Sequence, residues 1–502
     1  MRFPLIATAL VVALASPLAQ APDRHTHLVI VVDGLRPDQV TSGAMPRLER
    51  LADRGCFFVA HHSVFPTVTR VNASSFVTGT YPETHGLLGN TIYVPSADAT
   101  RGLDTGERDN LERVARAEGR LLTAPTLGEI LQGAGMKLLG ISSGSTGSAF
   151  LLNHTVSGGA LIHTDYALPQ ALAASVAAIL GPAPAHATPN DAQNQRAIDA
   201  YLKIGLDTIH PDVTLMWLND PDGTAHENGV GAPLTLTSLR LVDHAIGRIE
   251  DTLKEKGLLD RTNIIVTSDH GFSRHTGGFN LESFVGPFAK PMADGSKDIV
   301  VAEGAIYLRG PRDPARVNVI VSALQRRPEV GAIFTRPART GGTEGVVPGT
   351  LSFDVVHWNH PRAGDILVSA NWADAFDTDG FRGTTTQAGV AGHGSTSPFD
   401  IHNTLIAAGP DFFERGVSQV PTANVDIAPT LLRLLGIPVP RGMTGRVLEE
   451  ALRNGPDRQT PVTSSEETVK TPDSSYVLTA HFSMAAGHRY LDSTSVTRTT
   501  RP

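Results

Sequence analysis

The sequence predicts an α/β protein built on a doubly wound, mostly parallel sheet with helices on both faces and an inserted cap subdomain. Three observations carry this reading. Residues 27–32 form a continuous apolar run ending at Asp33-Gly34, as expected of a strand buried on both faces of a parallel sheet. Short apolar runs then alternate with helical periodicities along most of the chain, the signature of βαβ winding. Finally, Asp33, Asp222 and Asp269 each follow such a run, at the carboxyl edge where ligands gather in sheets of this kind.

Taken in order, residues 46–55 have helical spacing with a glycine stop, and 56–63 form a second strand. A helix over 126–135 leads to a strand over 137–141, and a helix over 190–210 leads to the strand 213–218. A long amphipathic helix spans 236–257, and the strand 263–267 ends beside Asp269. Gly and Pro become frequent over 277–390, where a strand-helix-strand pattern lies within 304–336; this stretch is assigned to the cap. Core character returns at 400–409 and in a helix over 424–435. The domain reading is therefore a signal peptide at 1–21, a core in two parts at 22–276 and 391–453, the cap between them, and a tail at 454–502. That tail is rich in Thr, Ser, Pro and charge, with one apolar stretch at 476–482, and reads as partly edge strand or disordered. No internal repeat is visible.

The chain has 502 residues, enough for a sizeable core, and 42 basic against 50 acidic side chains give a net charge of −8. Without a run of Lys or Arg to neutralise several phosphates, a stable nucleic-acid complex is not expected. Met1-Arg2, an apolar run over 3–15 and small residues at Ala13, Ala15, Ala19 and Ala21 form a secretory signal pattern. The run is shorter than the roughly 20 residues that span a bilayer, so cleavage and export to a periplasm or medium are expected, without a remaining membrane span. Cys56 is the only cysteine and cannot form an intramolecular disulfide; it reads as a small buried hydrophobe.

The residues that suggest chemistry occupy short Gly- and Pro-bounded segments. Thr69, in FPTVTR, lies at a helix start, and Asn90 follows 21 residues later, after a glycine-rich turn. Asp222 and His226 are four apart in DPDGTAHENG, Asp269 and His270 are adjacent in TSDHGF, and His393 lies between glycines in AGHGS. Singly, an Asp after a strand is usually a turn former, and a lone His is usually a surface or satisfied core residue. Together with Asp33, these carboxylates and imidazoles without thiolate suit Zn²⁺, with Mn²⁺ or other divalent ions also fitting the donor set. Six ligands and one hydroxyl suggest a two-metal phosphoryl-transfer site with Thr69 as nucleophile.

The ordered motifs VVDGLRPD, FPTVT with TGTYPETHGLLGN, NDPDGTAHENG, TSDHGF and AGHGS resemble the alkaline phosphatase superfamily, specifically its nucleotide pyrophosphatase/phosphodiesterase branch. The resemblance covers roughly residues 28–435 except most of the insertion. It implies an alkaline-phosphatase-like fold and two zinc ions, one held by Asp222, His226 and His393, the other by Asp33, Asp269, His270 and the Thr69 hydroxyl. It further implies attack by Thr69 and a covalent phosphothreonine intermediate. Asn90 and backbone N–H at the start of the nucleophile helix would hold a phosphoryl oxygen. His85 reads as ordering its turn through hydrogen bonding, and the family pattern selects Thr69 over Thr67.

Relatives that cleave monoesters add cations after the strand near residue 141; here ISSGSTGSAF has neither Lys nor Arg, which favours diesters or pyrophosphates. The expected partner is a small phosphate ester or nucleotide. Arg70 departs from the family, which usually places a base-stacking phenylalanine directly after the nucleophile. Its guanidinium suits stacking, a distal phosphate, or a monoester's extra charge, and its bland reading is a solvated first-turn salt bridge. His163 and Tyr166 are further aromatic candidates. Two alternatives therefore stand beside the diesterase: a monoesterase using Arg70, and a noncatalytic metal- or phosphate-binding protein.

Overall fold

Period-two alternation along the first strand divides the core in two. The computed structural model describes residues 24–455 and 460–499, so the proposed signal at 1–21 lies outside the described residues. Leu28, Ile30 and Val32 pack on one side with Leu48, Leu239, Ile246 and Ile249; Val29 and Val31 face the other side, with Phe58, Phe76, Leu127 and Leu131. The helices Pro46–Arg54, Asp191–Ala200 and Pro233–Glu255 supply the first layer, and Thr69–Thr78, Leu127–Gly133 and Thr146–Leu152 the second.

Seven strands form the body of the main sheet: β1 (Thr26–Val32), β2 (Cys56–His62), β3 (Leu138–Ser142), β4 (Ala160–His163), β5 (Val213–Leu218), β6 (Thr262–Thr267) and β7 (His402–Ala408). Their order is β2–β7–β6–β1–β5–β3–β4. β1 is parallel to β5 and β6, and β3 to β5 and β4, whereas β7 is antiparallel to β6 and β2. Because β1, β5 and β6 are parallel neighbours, their carboxyl ends lie together. Asp33, Asp222 and Asp269 therefore emerge at one edge.

Helix ends differ from the sequence reading where caps decide. Thr126 is a capping residue whose hydroxyl accepts Glu129 N–H, while the Glu129 carboxylate accepts Thr126 N–H, so the helix itself begins at Leu127. The long helix starts earlier than its apolar spacing indicated, at Pro233, whose missing N–H costs nothing in a first turn. The stretch read as one helix over 190–210 is Asp191–Ala200 continued by a wider helical segment, Tyr201–Ile209.

Within 277–390, Ile299–Ala302, Ala305–Leu308, Ile366–Ala370, Val330–Thr335 and Leu351–Ser352 pair in that order as a separate sheet, with the helix Pro314–Gln325 burying Val317, Ile320 and Leu324. Its apolar side is continuous with the second core layer. Trp358 Nε1 donates to Leu88 O at 3.0 Å, which braces the turn before Asn90. Trp372–Phe376 and Arg382–Thr385 instead join Ser273–His275 and Ala391–Gly392 in a small sheet between Asp269 and His393.

The described part of the tail is built of strands. Val462–Lys470, Tyr476–Ala485 and His488–Arg498 form their own three-stranded antiparallel sheet and do not extend the edge of the main one. Only the central strand alternates cleanly, burying Tyr476, Leu478, Ala480 and Phe482; its mostly polar neighbours carry little hydrophobic signal. Cys56 is buried. No helix among the described residues is long and apolar enough to cross a membrane.

Candidate active site

Main-chain N–H groups tie the strand ends together. Asp33 N–H donates to Leu218 O at 3.0 Å, and Asp222 N–H to Asp33 O at 3.1 Å. Gly34 N–H donates to Asp269 Oδ1 at 3.1 Å, and Leu35 N–H to Ser268 Oγ at 2.8 Å. Asp222 opens the helix Asp222–Asn228, so His226, one turn later, shares its face. Their side chains approach to 3.3 Å, from His226 Nε2 to Asp222 Oδ1.

Three histidines repeat one arrangement. His270 Nδ1 faces Gly271 O at 3.0 Å, His226 Nδ1 faces Ala391 O at 3.0 Å, and His393 Nδ1 faces Thr67 O at 2.8 Å. A carbonyl can only accept, so each Nδ1 carries a proton and each Nε2 is left as the available donor atom of the neutral ring. Those Nε2 atoms converge on carboxylates. His270 Nε2 lies 3.0 Å from Asp269 Oδ2 and 3.5 Å from Asp33 Oδ1, and His393 Nε2 lies 3.5 Å from Asp222 Oδ1. The His270 and His393 rings stack at 3.4 Å, which joins the two groups.

The three facing oxygens, Asp33 Oδ1, Asp222 Oδ1 and Asp269 Oδ2, are buried and accept no hydrogen bond among the described residues. Buried carboxylate oxygens in that condition are costly without a cation. Donor atoms 3.0–3.5 Å apart match the roughly 3.3 Å separation of ligands around a tetrahedral ion with bonds of about 2.0–2.1 Å. The donors thus fit metal binding in two overlapping groups, Asp33, Asp269 and His270, and Asp222, His270 and His393, with His226 beside Asp222.

The clustered carboxylates and imidazoles also shift one another's titration. Burial, then the nearby Asp269 and Asp222 carboxylates, push the Asp33 carboxyl well above the usual range. Burial also opposes ionisation of Asp222, but the His226, His393 and His270 imidazoles outweigh it and hold Asp222 far below the usual range. The same contact raises His226 to about 9, against burial.

Thr69 is the first residue of the helix Thr69–Thr78, 5% exposed, with Oγ1 3.4 Å from His270 Nε2. Thr67 has a different task. Its hydroxyl donates to Ser395 O at 2.9 Å and accepts Gly394 N–H at 3.1 Å, and its carbonyl accepts the His393 Nδ1–H. Asn90 reaches back to the same helix start: Arg70 N–H donates to Asn90 Oδ1 at 3.0 Å. The two anion donors implied by the resemblance are therefore bonded to each other, and the Asn90 Nδ2 group is the one without a hydrogen bond among the described residues.

Arg70 lies beside Asp104, with Nη2 3.4 Å from Oδ1, and near Glu303 of the insertion, whose carboxyl is raised by burial against the pull of Arg70. His85 is buried, with Nδ1 accepting Leu87 N–H at 3.1 Å and Nε2 3.2 Å from Ser75 Oγ. His163 Nε2 donates to Gly144 O at 2.8 Å, and Tyr166 OH to Thr146 O at 2.9 Å, so both are tied to the segment after β3. Sequence reasoning missed Trp217, whose Nε1 donates to Asp33 Oδ2 at 2.8 Å and leaves only Oδ1 for the histidine cluster. Its place on β5, immediately beside β1, sets this contact.

Residues 27–395 match the sequence profile of type I phosphodiesterase / nucleotide pyrophosphatase. Human ectonucleotide pyrophosphatase/phosphodiesterase family member 1 is 26% identical over 249 residues, 49% of this chain and 23% of that protein. The venom phosphodiesterase of Macrovipera lebetinus is 25% identical over 272 residues, 52% of this chain and 27% of the venom protein. The chain thus matches about a quarter of the length of these relatives. The human ectonucleotide pyrophosphatase/phosphodiesterase 5 structure superposes with a TM-score of 0.60 at 17% identity, covering 86% of this chain and 100% of that one. The murine counterpart, solved as an inactive form in complex with AMP, gives 0.59 at 18% identity, covering 83% and 96%. With the profile spanning most of its length, the chain belongs to the type I phosphodiesterase / nucleotide pyrophosphatase family.

Proposed function

We propose that this chain is an exported, two-zinc phosphodiesterase/nucleotide pyrophosphatase that cleaves phosphate diesters or pyrophosphate bonds of small nucleotides through a phosphothreonine at Thr69. The convergence of three carbonyl-pinned histidines on three unbonded carboxylate oxygens carries this reading. Asp33, Asp269, His270 and the Thr69 hydroxyl would hold one ion, and Asp222, His226 and His393 the other. Bound divalent ions would lower the pKa of the Thr69 hydroxyl and offset charge on the phosphoryl and leaving groups. The export assignment rests on the sequence of residues 1–21.

The chain's own groups define the rest. Thr69 Oγ1 forms a bond to phosphorus while the leaving alcohol or phosphate departs. Water then cleaves the Thr69 phosphoester and restores the hydroxyl. The Asn90 amide N–H donates to a nonbridging oxygen, where charge accumulates. Thr67 keeps His393 in place from both sides of the Gly392–Gly394 turn.

A diester is favoured over a monoester because the segment 141–150 after β3 carries no Lys or Arg, and the nearby Arg108 and Arg70 already have partners. Thr146 Oγ1 donates to Gly106 O, and Arg108 lies over the Tyr166 ring, 4.8 Å from its centroid, while pairing with Glu112. Arg70 is shared with Asp104 and Glu303.

The test compares p-nitrophenyl thymidine monophosphate with p-nitrophenyl phosphate, using wild type and Thr69→Ala, alongside metal analysis. A higher kcat/KM for the diester, lost in Thr69→Ala, is expected. Faster monoester turnover would make it a phosphomonoesterase. Zinc binding without turnover in wild type would make it a binding protein, and unchanged turnover in Thr69→Ala would remove the nucleophile.

A further inference from the structure

A second histidine–carboxylate cluster lies away from Thr69, where β2, β7 and the C-terminal sheet meet. His62 and His402 are directly opposed residues of the antiparallel β2–β7 pair, so their rings leave the same face of the sheet; the ring centroids are 4.6 Å apart. Asp492 enters from the strand His488–Arg498. Its Oδ1 is 2.8 Å from His62 Nε2 and 3.9 Å from His402 Nε2.

Two irregularities aim these groups. In the tail, His481 pairs with Ser493 but Phe482 pairs with Leu491, which leaves Asp492 as the extra residue of a bulge. Beside His62, Asn403 pairs with His61 and Leu405 with Phe58, a second bulge in β2. Bulges re-aim side chains, and two of them flank this cluster.

The surroundings are those of a ligand set. His62 Nδ1 donates to Thr422 O at 2.8 Å, which fixes Nε2 as the atom facing Asp492, and Ser483 Oγ contacts both Asp492 oxygens at 3.0 and 2.8 Å. Anchoring of the far nitrogen and of the carboxylate is what metal-binding histidines and carboxylates show around their ions. A plain His62–Asp492 ion pair would explain one imidazole and leave His402 outside the pair, since 3.9 Å is too long for a hydrogen bond to Asp492. Two ligands of one ion with bonds of about 2.0–2.2 Å can stand up to roughly 4 Å apart, so all three donors suit one centre. The His62 side chain is buried at 2%, whereas His402 and Asp492 are 30% and 24% exposed, which gives an ion a route in and water a place as fourth ligand.

We propose that His62, His402 and Asp492 form a third divalent-metal site, of the Zn²⁺ type by its two-imidazole, one-carboxylate donors, which clasps the C-terminal sheet to β2 and β7. The clasp joins the tail to the strand that leads into Thr69 and to the strand that follows His393. It uses none of the residues assigned to the catalytic cluster and stands whether or not that cluster turns over substrate.

Metal analysis of the full chain, saturated with Zn²⁺ and freed of excess by gel filtration, tests it. His402→Asn and Asp492→Asn should each contain one zinc equivalent fewer than wild type. Equal zinc content in wild type and both variants would overturn the proposal. Should a variant fail to fold, wild-type crystals soaked in Zn²⁺ and measured on both sides of the zinc absorption edge decide independently. An anomalous peak touching His62 Nε2, His402 and Asp492 supports the site, and its absence there while the catalytic cluster shows peaks refutes it.

Discussion

The Arg70 main-chain N–H donates to Asn90 Oδ1 at 3.0 Å, so the start of the helix Thr69–Thr78 fixes which end of the Asn90 amide is free. The main-chain donor cannot accept, which assigns the near atom as oxygen and leaves Nδ2 as the free donor of the amide. Thr105 holds the other side, donating through Oγ1 to Asn90 O at 2.7 Å. Asn90→Ala is expected to lower kcat by about 10²–10³-fold, in the range of a lost oxyanion donor, with little change in zinc content. Asn90→Asp should be no better, because it keeps the acceptor and removes the donor. Steady-state kinetics with a nucleotide diester checks both, and a variant within threefold of wild type would dismiss the role.

Arg70 is expected to act on substrate choice through its neighbours. Its side chain is 18% exposed, its Nε has no hydrogen bond among the described residues, and Asp104 and Glu303 share its charge. Neutralising those partners in Asp104→Asn/Glu303→Gln should free the guanidinium and raise the monoester-to-diester ratio of kcat/KM severalfold. Adding Arg70→Ala to that double variant should abolish the gain. A ratio that ignores the double variant would show that Arg70 does not meet the phosphoryl group.

Sequence patterns carried much of this site because parallel strands place their ends together. Asp33, Asp222 and Asp269 could each be located from an apolar run and a following loop, and β1, β5 and β6 are neighbours in the sheet. Thr67 was harder, since nothing in FPTVTR says that one threonine binds the loop of His393 and the next faces His270. Trp217 was invisible as a partner of Asp33 because its role depends on strand order, and strand order is not local information. The tail was less legible for a different reason. Two of its three strands are largely polar, and Asp492 reaches His62 only through a bulge, which period-two reasoning cannot anticipate.

Asp33 should change the sign of its contribution with metal. Without an ion it is a buried carboxyl beside Asp269 and Asp222, driven up by burial and by their charge. Asp33→Asn keeps the size and leaves an oxygen able to accept from Trp217, while removing the repulsion. In excess chelator the variant is expected to melt at or above wild type. In Zn²⁺ it should melt several degrees below wild type and lose most activity, since it forfeits part of the stabilisation by metal binding. Melting curves with and without Zn²⁺ check the crossover; a variant that melts below wild type by the same margin in both conditions would mean that Asp33 matters for packing alone.

His85 gives a pH dependence outside the histidine–carboxylate cluster. It is fully buried, its Nδ1 already accepts Leu87 N–H, and burial, with the nearby His360 and Arg362, pulls its pKa down to about 3. An unfolded histidine titrates near 6.5. Above that pH both states are neutral and the group adds no slope. Below it, the unfolded chain takes up a proton that the folded protein refuses. Stability therefore falls by up to about 1.4 kcal/mol per pH unit until the folded pKa is reached. His85→Gln should be less stable than wild type at pH 7, yet its deficit should shrink by about 2 kcal/mol by pH 5. Urea unfolding of chelator-treated protein at the two pH values measures this, and a deficit that stays constant between them would show that His85 is protonated in the folded state as readily as in the unfolded one.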